Sequence, residues 1–454
     1  MSDFDVVVAG AGPAGCVAAR DLARAGLNVG LFDAGPRDKM TKTIILEAEE
    51  SVFSKVDVPV PTGDEVPYHE KGLRVFSANG REAFAIKSTS PSVSLYLDRF
   101  VAKLLEDAES AGVRFFDEHK AVKALVAEGR VCGVLFDNNG TEQIVESSLV
   151  IDATGFDAAL AGNLDVDLGI EFRNRKADEV VAENHLHDID VEKAAESVRR
   201  SRQFDEEVWI RLGFAGPYST EYSFLSLRAR RAYILIGFKA SHNGPPIGRF
   251  VDEFRKRRGY FAQRLHGGAG MIRISHSLDR LVTNGFMVIG EAACQVVPVH
   301  GSGVASALWA GHLAAKTAAP VLKSGVPTTA ALWPYSYLYQ KGRGATLAAL
   351  DVSRLTVDKM TENRVSDMLE TGIMSPEDMY NALIPVAVSM SAKSIPKRLL
   401  GLAKNPGLIM PIAKMGKTTL DVLKHYKKYP KQYDRYEFGK WKERHDKLFA
   451  PLYD

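Results

Sequence analysis

The first fifteen residues constrain the fold more than any other part of the chain, because an apolar run leads directly into the pattern Gly-x-Gly-x-x-Gly. Residues 5–9 are predicted to form a buried parallel strand, and an Ala-rich helix follows. Gly10 permits the tight turn between them, and Gly12 lets the backbone approach a pyrophosphate. Gly15 lets the helix pack closely against the strand. Together these positions predict a dinucleotide-binding βαβ unit.

The residues on either side of the helix complete this unit. A second apolar strand, residues 27–32, ends at Asp33 and Ala34, where the fold places an acidic side chain against the adenosine ribose. The helix begins at Pro13 and Ala14, so its N-terminus faces the phosphate charge. A glycine-rich turn in another kind of α/β protein is the alternative, but strand, helix and acid all agree with nucleotide binding.

Composition limits the class of protein. The chain has 454 residues, too many for one simple core, so two or three domains are expected. Its net charge of +2, with both signs spread along the sequence, argues against a nucleic-acid-binding role. We expect neither a transmembrane helix nor a secretory signal. Cys16, Cys132 and Cys294 form no disulfide or metal-binding pattern, which fits a cytoplasmic location.

Two later segments repeat the buried-strand pattern. Residues 149–153 form a predicted strand that enters a tight turn at Gly155. Asp152 is expected either to be held against the cofactor there or, equally, to be a solvated residue at the strand end. Residues 286–290 form another predicted strand, and the turn 301–303 then opens an Ala-rich helix.

Three separated segments carry a resemblance to a known superfamily: GAGPAG at 10–15, VIDATG at 150–155 and GEAACQVVPVHGSGVASALWAGHLAA at 290–315. Together they resemble the FAD-binding scaffold of the glutathione-reductase-like, hydroxybenzoate-hydroxylase-type flavoproteins. Within that scaffold, the stretch 298–303 and the helix after it are similar to the geranylgeranyl reductase family, particularly the archaeal lipid reductases. The helical tail after residue 330 also suits that family.

The resemblance implies an α/β fold with a Rossmann-like FAD-binding domain, a second antiparallel β-sheet substrate domain and a C-terminal helical region. The sequence agrees, because charged segments alternate with β-like runs in the middle of the chain and helical spacing dominates its end. The expected boundaries are residues 1–60, 90–164 and 276–327 for the discontinuous FAD-binding domain, 61–89 and 165–275 for the substrate domain, and 328–454 for the helical domain.

The resemblance also implies how the third segment contacts FAD. The cofactor-binding residues expected there are Gly290, Glu291, Pro298, Gly301, Gly303 and Val304. Family members usually have an aspartate at the position of Glu291 for the ribityl hydroxyls, and a glutamate reaches one methylene further. Gly301 and Gly303 let the chain pass close to the isoalloxazine, and the helix N-terminus stabilises negative charge on the reduced ring.

The activity that the resemblance implies is reduction of carbon–carbon double bonds in an apolar, isoprenoid (geranylgeranyl-type) lipid, by hydride transfer from the reduced flavin N5. The alternatives are a flavin-dependent monooxygenase or dehydrogenase with another hydrophobic substrate, and a flavoprotein that binds a lipid or partner without turnover. Residues 155–160 lack the Asp-Gly motif ending in Arg of the aromatic monooxygenases, and the four tryptophans lack the spacing of flavin halogenases. Few catalytic side chains are needed for hydride transfer, which favours reduction.

Two features depart from the family. Its members usually have a Cys-Gly pair shortly after the ribose acid, whereas residues 42–44 are Lys-Thr-Ile here. The aromatic motif of their substrate domain is only partly present, because Tyr222 and Phe224 remain and Leu225 replaces a proline. The exact substrate therefore stays open, as does the electron donor, either NAD(P)H or a reduced ferredoxin.

His300 is the titratable candidate nearest to the flavin, since glycines follow it. A catalytic role in protonating the second alkene carbon is weighed against a structural histidine satisfied by backbone groups. We expect no metal site, because His185 and His187 have no further ligands nearby in the sequence. Lysines interleaved with tyrosines at 417–440 predict a solvated helix pair, with peripheral contact to an acidic lipid surface at the inner membrane face as the alternative.

Overall fold

The computed structural model describes residues 3–41, 44–86, 92–173, 175–201, 205–383 and 394–453. Its strands are β1 (Phe4–Ala9), β2 (Val29–Phe32), β3 (Ile45–Glu49), β4 (Leu73–Phe76), β5 (Glu82–Ile86), β6 (Ser92–Tyr96), β7 (Arg114–Phe116), β8 (His119–Ala127), β9 (Arg130–Asn138), β10 (Thr141–Asp152), β11 (Glu179–Ile189), β12 (Val208–Leu212), β13 (Ser219–Ser226), β14 (Arg231–Lys239), β15 (Phe261–Arg273), β16 (Val282–Thr283) and β17 (Phe286–Val288). Its helices are α1 (Pro13–Arg24), α2 (Leu97–Ser110), α3 (Val191–Ser201), α4 (Ile247–Arg258), α5 (Val304–Ser324), α6 (Thr329–Tyr339), α7 (Ala345–Asp358), α8 (Glu362–Glu370), α9 (Pro376–Leu383), α10 (Ile395–Lys404), α11 (Ile409–Tyr426) and α12 (Arg435–Tyr453).

A mainly parallel sheet organises the first half of the fold. Strand β1 lies between β2 and β10 and is parallel to both, with Val6 opposite Val29 on one side and Leu149 on the other. The strand order is β16-β17-β10-β1-β2-β7, and β8 and β9 extend β10 as an antiparallel meander. Strands β1, β2 and β17 are almost wholly buried, which explains their continuous apolar sequences.

The second sheet has the order β15-β11-β14-β13-β12-β4-β5. Its neighbours are antiparallel, except that β12 runs parallel to β4. Strands from residues 73–86 and 179–273 therefore share one sheet, although the predicted domain boundaries themselves stay a prediction. The predicted fold class, with a Rossmann-like parallel sheet, a second antiparallel sheet and a helical C-terminal region, is confirmed.

The C-terminal helices pack against both sheets. Trp333 of α6, Tyr426 of α11 and Trp441 of α12 belong to the same apolar core as the parallel sheet. Met368 and Leu369 of α8 belong to a second core, which they form with residues of β4, β12 and β13. The helical region therefore shares one apolar core with the parallel sheet and another with the second sheet.

A buried ionic cluster attaches α7 to the ends of the second sheet. Arg354 of α7 donates to Asp351 at 2.6 Å and to Asp178, just before β11, at 2.8 Å. His276, just after β15, lies 2.6 Å from Asp351 through Nδ1 and contacts Arg173 through Nε2. Burial lowers the pKa of His276 to about 3, so its neutral ring donates from Nδ1 and accepts at Nε2. The carboxylates of this cluster are thus matched by cations and donors.

Small residues let α1 and α5 approach closely. A side chain at Gly311, about two turns into α5, would overlap the carbonyl oxygen of Ala14 in the first turn of α1. A side chain at Gly15 would overlap the carbonyl oxygen of Gly10, and one at Gly290 would press against the Ala14 methyl group at 3.1 Å. The start of α1 is therefore fixed beside the first turns of α5.

Replacing Gly311 with Ala should lower the free energy of unfolding by about 1–3 kcal/mol, because the added methyl group must push α5 away from α1. Gly416→Ala in α11 is the matched control, since a methyl group there meets nothing within 4 Å. The control should be stabilising by about 0.4–1 kcal/mol. Denaturant titration followed by circular dichroism measures both variants, and equal effects would contradict the packing account.

Candidate active site

Helix α1 begins beside open space. Gly12 is its N-cap residue and provides no side-chain cap for the N–H groups of the first turn, which contains Pro13 and Ala14. A side chain built on Gly12 meets no atom within 4 Å, whereas one on Gly10 would overlap the Ala153 carbonyl. Gly10 also has a φ of +103°, so it serves the turn. The space at Gly12, at the positive end of the helix dipole, fits a pyrophosphate.

Asp33 and Ala34 follow β2 at the same edge of the sheet. Asp33 accepts a hydrogen bond from the N–H of Ala11 at 2.7 Å and another from the N–H of Gly35 at 2.9 Å. Burial raises the pKa of this carboxyl group, and the two hydrogen bonds oppose that rise. Each carboxylate oxygen can accept more than one hydrogen bond, so Asp33 retains capacity for ribose hydroxyls beside the exposed Ala34.

Asp152 is fully buried, and its hydrogen bonds are made within its own turn. One oxygen accepts from the N–H and hydroxyl of Thr154, and the other accepts from the N–H groups of Leu160 and Ala161. The expected alternative of a solvated strand-end residue is therefore wrong, because the side chain is enclosed and shapes the turn. The expected contact with the cofactor stays a prediction. Gly155 opens the turn with a φ of +72°, and a side chain there would meet nothing within 4 Å.

Gly290 and Glu291 lie where β17 ends. Gly290 has a φ of +66°, contacts Ala14 of the first turn of α1, and donates its N–H to Gln295 at 2.6 Å. Glu291 is half-buried and accepts a hydrogen bond from the N–H of Arg273 at 3.2 Å. The structure therefore brings this segment to the start of α1, as the resemblance implies for a cofactor that spans both.

The loop before α5 contacts the second sheet and strand β3, which pairs with β6 in a separate two-stranded sheet. The hydroxyl of Tyr218, next to β13, donates to the Pro298 carbonyl at 2.7 Å. The hydroxyl of Ser302 donates to the Glu47 carbonyl of β3 at 2.5 Å. Gly303 is the N-cap of α5 and provides no side-chain cap, so the N-terminus that begins at Val304 resembles that of α1. Ala14 in the first turn of α1 and Ala307 in the first turn of α5 both lie within 4.0 Å of the side-chain position of Gly290, so two helix N-termini without side-chain caps lie close together.

His300 lies in this loop as a neutral, half-buried ring. Its Nδ1 accepts a hydrogen bond from the N–H of Ser302 at 3.2 Å, which leaves the proton on Nε2. Burial is the main reason that the pKa of His300 falls to about 4, and a backbone contact with Ala382 opposes this shift. A neutral imidazole is a weak acid, so the geometry favours the structural alternative over a proton donor. Gly301 follows with a φ of +79°.

A cluster of carboxyl and phenol groups next to this loop was not foreseen from the sequence. The hydroxyl of Tyr222 in β13 contacts the carboxyl groups of Glu47 in β3 and of Glu70. The hydroxyl of Tyr68 contacts the same Tyr222 hydroxyl. Tyr222 belongs to the partial aromatic motif, but the two glutamates stand in no recognisable pattern. Strand β3 pairs with β6 in a separate two-stranded sheet, and only its packing against the second sheet brings Glu47 and Glu70 to Tyr222, more than 150 residues away in the sequence.

Comparison with known proteins agrees with this architecture. The family described as lycopene cyclase protein matches residues 5–201. The digeranylgeranylglycerophospholipid reductase of Sulfolobus acidocaldarius is 23% identical over 456 residues, covering 98% of this chain and 97% of that protein. The protein of that name from Methanothrix thermoacetophila is 25% identical, covering 86% and 97%. The chain resembles archaeal geranylgeranyl-type reductases over nearly its whole length.

Solved structures show the same fold. A geranylgeranyl bacteriochlorophyll reductase-like protein from Thermoplasma acidophilum superposes with a TM-score of 0.70 at 18% identity, covering 91% of this chain and 99% of that one. A flavin-dependent brominase superposes with a TM-score of 0.62 at 17% identity, covering 89% and 99%. These matches confirm the predicted resemblance and fold class, and they agree with the prediction of an FAD-dependent enzyme.

Gly12→Val should separate folding from cofactor binding. The apoprotein should lose no more than about 1 kcal/mol of unfolding free energy, as is usual for a changed N-cap, because the space beside Gly12 is empty. The purified variant should nevertheless contain no flavin, since the side chain fills the pyrophosphate position. Absorbance after denaturation measures flavin content, and a variant that retains wild-type flavin would contradict this assignment.

Proposed function

We propose that this chain is an FAD-dependent reductase that saturates carbon–carbon double bonds of a geranylgeranyl-type isoprenoid lipid. The main support is the similarity to digeranylgeranylglycerophospholipid reductases along 98% of the chain. The residues fit the cofactor: the cradle at Gly12 suits the pyrophosphate, Asp33 the ribose and Glu291 the ribityl chain. The loop from His300 to Gly303, with the uncapped N-terminus of α5, suits the flavin ring.

When bound and reduced, FAD supplies a hydride from N5 to one carbon of the double bond. The protein's part is to hold an apolar chain against that position and to keep water away from it. Aromatic side chains on the second sheet suit this task, because Tyr68 stacks on Phe224 at 4.3 Å and Tyr233 packs beside them. All three are buried in one apolar cluster with Ile45 of β3, the strand that contacts the loop preceding α5.

A monooxygenase or dehydrogenase acting on another hydrophobic substrate remains the second candidate, since the likeness to the brominase shows the fold alone. NAD(P)H and a reduced ferredoxin are the two candidate electron donors. Oxygen uptake coupled to NADPH oxidation would distinguish a hydroxylase from the reductase. The proposed reductase needs an electron donor but no oxygen.

Chemically reduced holoprotein, mixed anaerobically with a digeranylgeranyl glycerophospholipid, should return to the oxidised flavin spectrum. The lipid should gain two hydrogen atoms for each reduced bond, as measured by mass spectrometry. The fully saturated lipid is the control and should leave the flavin reduced. If oxygen alone re-oxidises the flavin across a broad panel of unsaturated lipids, the proposed activity fails.

We also propose that α10 and α11 rest on an anionic lipid surface, from which the substrate is taken. Exposed apolar side chains are concentrated there, including Leu399 at 62% exposure and Met410 at 75%: the full set, called the apolar face, is Ile395, Leu399, Leu400, Ile409, Met410 and Leu420. Residues 395–426 contain six lysines and arginines but one aspartate, a net charge of +5. Exposed apolar groups among cations fit the interface of an acidic bilayer.

This contact would be peripheral. Within the described ranges, no helix has both the length and the apolar character required to cross a bilayer. Ile409 and Leu420 are about three turns apart and so lie on one side of α11, which suits a helix lying flat on a surface. The expected cytoplasmic location, at the inner membrane face, stays a prediction.

Wild-type protein should sediment with vesicles that contain phosphatidylglycerol and much less with phosphatidylcholine vesicles. Leu399→Glu combined with Leu400→Glu should weaken binding at least about tenfold, because burying each leucine contributes about 1.5–3 kcal/mol. Ile144→Glu is the matched control, since Ile144 of β10 is 60% exposed outside the apolar face. Equal binding by the two variants would contradict this orientation, and absence of wild-type binding would contradict the contact itself.

A further inference from the structure

Glu47 and Glu70, here called the carboxyl pair, form a compact group with the phenols of Tyr68 and Tyr222 between β3 and the second sheet. The Tyr222 hydroxyl donates to Glu47 and lies 3.3 Å from a carboxyl oxygen of Glu70. The Tyr68 hydroxyl lies 3.4 Å from the Tyr222 oxygen and donates to it. Tyr222 has a single hydroxyl proton, which it donates to Glu47. Its contact with Glu70 is therefore a hydrogen bond only when Glu70 is protonated and donates to the Tyr222 oxygen.

In the described part of the chain, the carboxyl pair has no cation paired with it to stabilise two negative charges. Among the residues that the structure describes, no lysine or arginine forms an ion pair with Glu47 or Glu70, and the groups that face them are the phenols of Tyr68, Tyr222 and Tyr233. Burial raises the pKa of both carboxyls, and the charge of Glu47 helps to raise that of Glu70 to about 8. The pair therefore retains a proton at neutral pH.

The carboxyl pair lies next to the loop assigned to the flavin ring. The backbone carbonyl of Glu47 accepts the hydroxyl proton of Ser302 in that loop. On the other side, Asn184 and Tyr233 of the second sheet contact the carbonyl of Ile45, also in β3. Glu47 thus stands between the loop and the sheet that the proposed function assigns to the isoprenoid chain.

We propose that the Glu47–Glu70 carboxyl pair, bridged by Tyr222, is the proton donor for the second carbon of the reduced double bond. The inference rests on the proposed reductase activity. One alkene carbon gains a hydride from the reduced flavin, and the other forms its C–H bond as a carboxyl O–H bond of the pair breaks. The carboxylate then regains its proton from water, so atoms and electrons balance.

A shared proton of this kind has a defined pH dependence. The pair holds the proton below its raised pKa of about 8 and loses it as the pH rises through that value. Re-oxidation of reduced flavin by the lipid should therefore be fast at pH 6–7 and slow above about pH 8. His300, whose pKa is lowered to about 4, would instead lose any acidic proton well below neutral pH.

Infrared titration of the oxidised holoprotein tests the proton without any turnover. Wild type should show a protonated-carboxyl band that disappears near pH 8 and is lost in Glu70→Gln. Glu221→Gln is the matched control, because Glu221 is a buried carboxylate on the same strand as Tyr222 but is paired with Arg211. The control should keep the band, and a wild-type protein without such a band overturns the proton donor.

Anaerobic single turnover with the geranylgeranyl lipid supplies the second readout. Glu47→Gln and Glu70→Gln should each slow flavin re-oxidation about a hundredfold or more and remove the fall above pH 8, with flavin content unchanged. Tyr222→Phe keeps both carboxyls and should cost less than either. Wild-type rates and pH profile in both glutamine variants would overturn the proposal. A titrating band in a wild type that reduces no lipid would overturn the proposed function instead.

Discussion

The close contact between α1 and α5 is the constraint on which the remaining structure depends. Gly311 leaves no room for a side chain above the Ala14 carbonyl, so the two helices are held at a separation that only small residues allow. This contact sets the start of α1 beside the turn at Gly290 and aligns it with the loop before α5. Two helix N-termini without side-chain caps then lie close together, which suits an extended anionic cofactor.

Acidic side chains inside this protein lie in two opposite environments, one with a cationic partner and one without. Asp178 and Asp351 are neutralised by Arg354, and their cluster fastens α7 to the second sheet. Glu47 and Glu70 are half-buried, and among the described residues their side chains hydrogen-bond to the phenol of Tyr222 and form no ion pair. A charge without a partner is costly in such surroundings, so these two groups favour the protonated state. The first arrangement stabilises the fold, whereas the second suits proton transfer.

The parts of the fold that could be predicted were those encoded by short-range patterns. The Gly-rich turn, the strand before it and Asp33 after the second strand all lie within a single βαβ unit, where spacing alone determines geometry. Asp152 was ambiguous because a strand end can hold its side chain against a ligand or leave it in solvent; the structure buries it, with hydrogen bonds from residues up to nine positions later. These hydrogen bonds depend on the conformation of the turn after β10, which sequence patterns do not specify.

The candidate proton donors could not be predicted for a different reason. Glu47 and Glu70 meet Tyr222 only because β3 packs across the second sheet, and neither glutamate has periodic neighbours that mark it. His300 was easier to notice, since it stands beside conspicuous glycines, but its burial and its contact with Ser302 make it a neutral ring. Long-range packing, rather than residue type, therefore separates a reactive acid from a structural side chain.

A crystal structure of the protein with FAD and a bound geranylgeranyl chain tests the central claim most directly. The account predicts the pyrophosphate within hydrogen-bonding distance of the N–H groups of Gly12 and Ala14 at the start of α1, and the flavin ring beside the loop 298–303. One double bond of the chain should lie between the flavin N5 and the carboxyl group of Glu47 or Glu70. A lipid chain bound away from the face between β3 and the second sheet, or a flavin ring distant from that loop, would contradict the account.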